Sequence, residues 1–255
     1  MIDSVIQKLR NGLKLGVLLS LFLLAAGCAN NEEQKTVIQD LQEGYTSAKE
    51  AALSGNHRRA IQIYELIQAR YPFSNLSKQV QLELMYSYYK IGQLELAVEA
   101  ADTFMRENPI DPRVDYALYI KGLTYFENDP SIVERLFNRD INTRPPKDAE
   151  LAYSTFRRLI ERYPASQYAP DAEQRIVFLK NRLAAYENTV ADYYLRRGAY
   201  VAALNRAKTS LEEFNGASSN ARSLEIMAEA YEELGMADMA ADTRRILEKN
   251  FPNRG

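Results

Sequence analysis

Glycine, alanine and proline recur in this chain on a 37-residue ruler, and that spacing limits its fold more than any other feature. Gly55 and Gly92 are 37 positions apart, as are Pro72 and Pro109, and Gly198 and Gly235. An alanine stands five after each glycine, at Ala60, Ala97, Ala203 and Ala240. Twelve residues further on come Pro72, Pro109, Asn215 and Pro252. A fifth copy emerges once 18 extra residues are placed between its halves: Asp129 lies 37 after Gly92, and Ala152 lies 12 before Pro164. A unit of this length buries its apolar face only against its neighbours, so the chain is predicted to stack such units in series.

The stretches between these marks show helical periodicity and hold few glycines or prolines. Helices are predicted over 37–53 and 57–70, 76–90 and 93–107, 113–127 and 148–161, 168–197 and 200–214, and 218–233 and 237–250. The glycine falls where two antiparallel helices turn, a place that favours positive φ. A small residue sits seven before the turn at Ala48, Gly122, Ala191 and Ala228, with Met85 departing. Tyrosine sits four before it at Tyr88, Tyr125, Tyr194 and Tyr231, with Ala51 departing. Proline then ends the second helix. The pattern resembles the tetratricopeptide repeat, with a period of 37 in place of the commoner 34. The predicted fold class is all-α, a right-handed helical solenoid of five tetratricopeptide-like helix pairs. Repeats one to three would occupy 37–164, interrupted by an insertion at 128–147 that reads as a loop with a short helix at Ser131–Phe137. A long connecting helix and repeats four and five would occupy 165–252.

The N-terminus carries a separate signal. Lys8, Arg10 and Lys14 precede an apolar run from Leu15 to Ala26, then Gly27 and Cys28, the only cysteine. Twelve apolar residues are too few to span a bilayer, which takes roughly 20. The layout is that of a secretory signal, 1–27. A cysteine at the break resembles the lipobox of bacterial lipoproteins, although Ala25 stands where leucine is usual. Cys28 is therefore the expected lipidation site, followed by a lipidated linker over 28–36 and anchorage to a membrane.

Formal net charge is −2, which gives no reason to expect a nucleic-acid partner. Seventeen tyrosines, nine phenylalanines and no tryptophan are unusual, and tyrosine suits surfaces that grip partners. Resemblance to the repeat family places groove-facing positions at 13, 10, 6, 3 and 2 residues before each turn. The N-terminal repeats then present Tyr45, Tyr86, Tyr89, Tyr116, Tyr119 and Phe126, with Lys49 and Lys90 nearby. Leu82, Leu123, Asn188, Asp192, Leu195, Arg196 and Arg222 fall at the same register. An aromatic groove with some positive charge suits an extended or C-terminal peptide, whose carboxylate the lysines can meet. The same tyrosines could instead pack between repeats. No catalytic set, metal-ligand spacing or cofactor motif is present in the sequence, and His57, the one histidine, reads as a turn residue.

Longer strings are more specific than the repeat. Arg70-Tyr71-Pro72-Phe73, the run from Lys78 to Lys90, Arg162 to Tyr168, Arg175 to Ala184, and Tyr193 to Ala202 resemble the BamD family, the outer-membrane lipoproteins of the β-barrel assembly machinery. The resemblance covers most of 37–214 and weakens after Phe214. It implies a non-enzymatic scaffold, lipid-anchored on the periplasmic face of the outer membrane, among other lipoproteins of the complex. It also implies C-terminal repeats that bind the BamA insertase and N-terminal repeats that receive C-terminal signals of unfolded outer-membrane proteins. The family's interface arginine matches Arg197, with Arg196 beside it. Another periplasmic repeat lipoprotein, an adaptor of cell-wall enzymes, is the alternative.

Overall fold

A computed structural model describes residues 40–128 and 145–252. The leader, Cys28 and the short helix expected at Ser131–Phe137 lie outside the described residues. Within them the chain forms ten α-helices and no strand: α1 Leu41–Leu53, α2 His57–Arg70, α3 Ser77–Lys90, α4 Leu94–Glu107, α5 Val114–Asn128, α6 Lys147–Arg162, α7 Ala169–Arg196, α8 Tyr200–Glu213, α9 Asn220–Glu233 and α10 Ala237–Asn250. The class is the all-α solenoid of paired helices. The chain divides into two compact units between Ser87 and Tyr88, inside α3. In the first, α1 packs on α2. In the second, α4 packs on α5, α5 on α6, and so on to α9 on α10, with α7 also reaching α9.

Local backbone chemistry sets the helix boundaries. At the end of α7, Gly198 takes φ +71°. That left-handed turn lets the Ala199 amide donate to the Tyr194 carbonyl (3.0 Å) and the Gly198 amide to Leu195 (3.0 Å). These bonds satisfy carbonyls that a helix end leaves open. The same pair of bonds recurs at Gly55, Gly92 and Gly235, and the residue accepting from the amide after the glycine is the fourth before the glycine. Opposite ends are equally regular. Helices α2, α4, α6 and α10 each stop two residues before a proline, at caps Tyr71, Asn108, Tyr163 and Phe251 with φ between −129° and −133°. At the start of α1, Asp40 is extended and accepts from the Gln42 amide at 2.9 Å, an N-cap bond that starts the helix at Leu41 and not at the expected residue 37.

The small residues of the ruler lie in the core. Ala60, Ala97, Ala152 and Ala203 are fully buried, and Ala240 is nearly so. Seven before the turns, Ala48, Met85 and Ala191 are fully buried and Ala228 nearly so. Gly122 is also buried, and a Cβ there would lie 2.5–2.9 Å from three ring atoms of Phe156. At one end of the second unit Ala191, Leu195, Ala203, Ala207, Ile226, Ala230 and Tyr231 form one cluster, with Tyr194 and Tyr200 against it.

Several residues at the groove register are core instead. Leu82, Leu123 and Leu195 are buried, because their helices are apolar around more than one stripe and are covered on more than one side. Asn188 is buried too, for a polar reason. Its amide donates to the Ser219 carbonyl at 2.8 Å and its oxygen accepts from the Ser223 hydroxyl at 2.7 Å. Asp192 and Arg222 pair with each other at 2.5 Å, tying α7 to α9.

The Tyr64 hydroxyl is among the buried polar groups left unsatisfied. Tyr64 is fully buried, and its hydroxyl has no hydrogen-bond partner. Burial and the Glu83 charge push its phenol well above the ordinary value. Tyr64→Phe removes an orphaned polar group and leaves the ring in place, so it should raise stability by about 1 kcal/mol. The check is a higher denaturant midpoint at unchanged slope.

Candidate functional site

The aromatic candidates form two clusters, one in each unit. In the first unit, half-buried Tyr45 tilts against Tyr64 with ring centroids 6.2 Å apart. Its phenol is raised by burial and then by the Glu83 charge. Glu83 in turn accepts from the Gln79 amide at 2.9 Å. Lys49 lies one helical turn on from Tyr45 and is exposed. Tyr86 is half-buried and meets the His57 ring edge-on at 5.9 Å, so the one histidine is an aromatic neighbour at the start of α2.

The second unit holds the larger cluster. Tyr89 is half-buried and donates to Glu127 at 2.5 Å, and Lys90 beside it is exposed. Tyr116 and Tyr119 both reach Tyr168, the first tilted at 5.6 Å and the second stacked at 4.6 Å. Phe126 meets Phe178 edge-on at 5.6 Å. Beneath them lies Phe156, fully buried, 6.2 Å from Tyr119 and 6.4 Å from Phe126. The elements explain the meeting. Tyr116, Tyr119 and Phe126 share a face of α5, while Asp171, Arg175 and Phe178 follow one another at helical spacing on α7.

A charged pair sits within these rings. The Tyr119 hydroxyl donates to Asp171 Oδ2 at 2.8 Å, and Arg175 Nε donates to the same oxygen at 2.6 Å. Burial and the Asp171 bond push the Tyr119 phenol up to about 12. Burial alone would raise the Asp171 carboxyl, but the bonds from Arg175 and Tyr119 outweigh it and hold the group below its ordinary value. The Arg175 guanidinium lies 4.7 Å over the Phe126 ring, an attractive cation–π placement. Sequence reasoning missed Tyr168, Asp171, Arg175 and Phe178. Tyr168, Arg175 and Phe178 fall in strings that resemble the family, but nothing in the sequence gave them a role at the site.

The interface candidates stand elsewhere in the second unit. Arg196 and Arg197 are exposed at the C-terminal end of α7, next to the Gly198 turn. The Arg197 guanidinium lies 4.7 Å over Tyr193, itself 46% exposed. Tyr200 lies just past the turn, and the nearby Glu233 at the end of α9 raises its phenol above the ordinary value. A separate cavity of about 520 Å³ opens along α4 and α5, lined by Val98, Glu99, Asp102, Tyr125 and Asp148 among others. None of the aromatic candidates lines it. Among the described residues no group of three His, Cys, Asp or Glu is placed to hold a metal ion, and no helix is long and apolar enough to cross a membrane.

Fold and surface together define an all-α repeat protein that offers aromatic and charged side-chain surfaces. The chain belongs to the YfiO family, described as outer membrane lipoprotein, which matches residues 39–247. It is 38% identical over 244 residues to the outer membrane protein assembly factor BamD of Neisseria meningitidis serogroup A, covering 94% of this chain and 91% of that protein. The BamD of Neisseria gonorrhoeae is 40% identical over 89% of this chain and 85% of its own. The BamD of Vibrio cholerae is 39% identical over 91% and 96%. A tetratricopeptide protein of Thermus thermophilus aligns at a TM-score of 0.37, with 15% identity over 84% of this chain and 93% of its own.

Proposed function

We propose that this chain is a non-enzymatic scaffold of outer-membrane β-barrel assembly, lipid-anchored through Cys28 on the periplasmic face of the outer membrane. The observation that carries this reading is likeness over nearly the whole length to three proteins named outer membrane protein assembly factor. In this reading the exposed arginines beside Gly198 bind the BamA insertase, and other lipoproteins of the complex bind elsewhere. The aromatic surfaces bearing Tyr45, Lys49, Tyr86, Tyr89, Lys90, Tyr116, Tyr119 and Phe126 take C-terminal segments of unfolded outer-membrane proteins. Support for the first contact is chemical. A guanidinium laid over an exposed tyrosine is already oriented, and it can meet a carboxylate through two parallel bonds. Support for the second is the concentration of half-buried rings at the surface, which bury large area at low entropy cost.

The test is depletion of the native protein with complementation by wild type or Arg197→Glu. Wild type should restore outer-membrane barrel levels and co-purify with the insertase. Arg197→Glu should lose most of that co-purification while its helical circular dichroism stays unchanged. Undiminished recovery removes the Arg197 interface. A cell-shape defect with normal barrel levels on depletion replaces the assembly role with that of a cell-wall adaptor.

A further inference from the structure

We infer that Arg175 is the receptor for the terminal carboxylate of an aromatic-ended peptide, and that Asp171 occupies the guanidinium until such a peptide arrives. The inference rests on the peptide-binding reading above and names the residue that would give it end specificity.

Three observations converge on this position. Arg175 is flanked by rings that suit an aromatic side chain: Phe126 lies beneath its guanidinium at 4.7 Å, and Phe126 packs on Phe178 at 5.6 Å. The pair is reachable, since the Arg175 and Asp171 side chains are 25% and 44% exposed. Asp171 already supplies what a ligand would bring, a carboxylate oxygen 2.6 Å from Nε. Its second contact is long, 3.5 Å from Nη2 to Oδ1, so the two-bond match open to arginine and a carboxylate is only half used.

The consequences follow from competition. A planar guanidinium held over a ring is pre-oriented, so little further ordering opposes binding a second carboxylate. The ligand's carboxylate must nevertheless displace Asp171 or share Arg175 with it. When Asp171 swings away, Tyr119 loses its acceptor and its hydroxyl becomes available to the ligand. Lys49 and Lys90, the lysines expected to meet a carboxylate, are exposed, and an exposed lysine charge is strongly hydrated.

The test uses the full chain in detergent and two synthetic peptides of alternating aromatic and polar residues. Both end in phenylalanine, one as the free acid and one as the amide. Fluorescence anisotropy gives both affinities. Wild type should prefer the acid by about tenfold, the worth of one charge-assisted bond. Arg175→Gln should abolish that preference and leave amide binding in place. Asp171→Asn should widen it, because the internal competitor loses its charge. Arg175→Lys, which keeps charge and helix propensity, should retain a reduced preference and covers the case in which Arg175→Gln fails to fold. Equal binding of both peptides by wild type, or a preference untouched in the Arg175 variants, overturns the carboxylate role while the peptide surface stands. Failure of wild type to bind either peptide overturns the peptide surface, and the Arg175 role with it.

Discussion

Phe156→Ala is expected to lower the unfolding free energy by about 3–5 kcal/mol, the usual range for emptying a fully buried aromatic site. The ring is fully buried and touches Tyr119, Phe126 and the Gly122 backbone. A Cβ on Gly122 would come within 2.5 Å of it, so α5 and α6 are already as close as the ring allows. The vacated space can therefore shrink only if two helices shift together. Gly122→Ala alone should cost about 1–3 kcal/mol by overpacking. The double variant should cost less than the two singles together, because the new methyl occupies part of the vacated ring site. Denaturant unfolding of the four proteins checks this. Strict additivity would show that the ring and the glycine do not define one another. Loss of Phe156 should also loosen Tyr119 and Phe126, which rest on it.

Asn188→Ala is expected to cost about 2–4 kcal/mol, since a buried group left without its partner costs about 1–3 kcal/mol. The Asn188 amide serves the Ser219 carbonyl and its oxygen serves the Ser223 hydroxyl, with Asn188 and Ser223 buried and Ser219 half-buried. Ser223 lies 2.9 Å from the Ser210 hydroxyl, and the Asn220 amide donates to the Ser210 carbonyl at 3.2 Å. Each member thus depends on the others, and the network joins α7, α8 and α9. Asn188→Asp keeps one acceptor but removes the donor and buries a charge, so it should be at least as costly near neutral pH. A change under 0.5 kcal/mol for Asn188→Ala, typical of a surface site, would contradict the buried network.

Helix ends were legible in the chain because their causes are local. A glycine that accepts positive φ and a proline that cannot continue a helix act within a few residues, whereas the Asp40 cap that starts α1 was not read. The alanines of the ruler were legible for a related reason: close helix approach demands a small side chain at a fixed register, and they are buried at that register. Aromatic surface candidates were legible only as a set. Tyr45, Tyr86, Tyr89, Tyr116, Tyr119 and Phe126 are all half-buried, but their ring partners on α7 were not apparent.

Register alone misplaced Leu82, Leu123, Leu195 and Asn188, which carry groove spacing and yet lie in the core. A single-helix pattern counts one apolar stripe, whereas a helix packed between others is covered on several faces. Asp171 and Arg175 lie one helical turn apart on α7, and the structure brings Tyr119, 52 residues earlier, onto the same carboxylate oxygen. The sequence by itself determined where the helices turn and stop, and where backbones come close, because those constraints act within one turn or one repeat. Only the tertiary structure decided which helix faces are covered and which side chains meet across the α5–α7 surface, because burial and long-range hydrogen bonds depend on neighbours that the local chain does not specify.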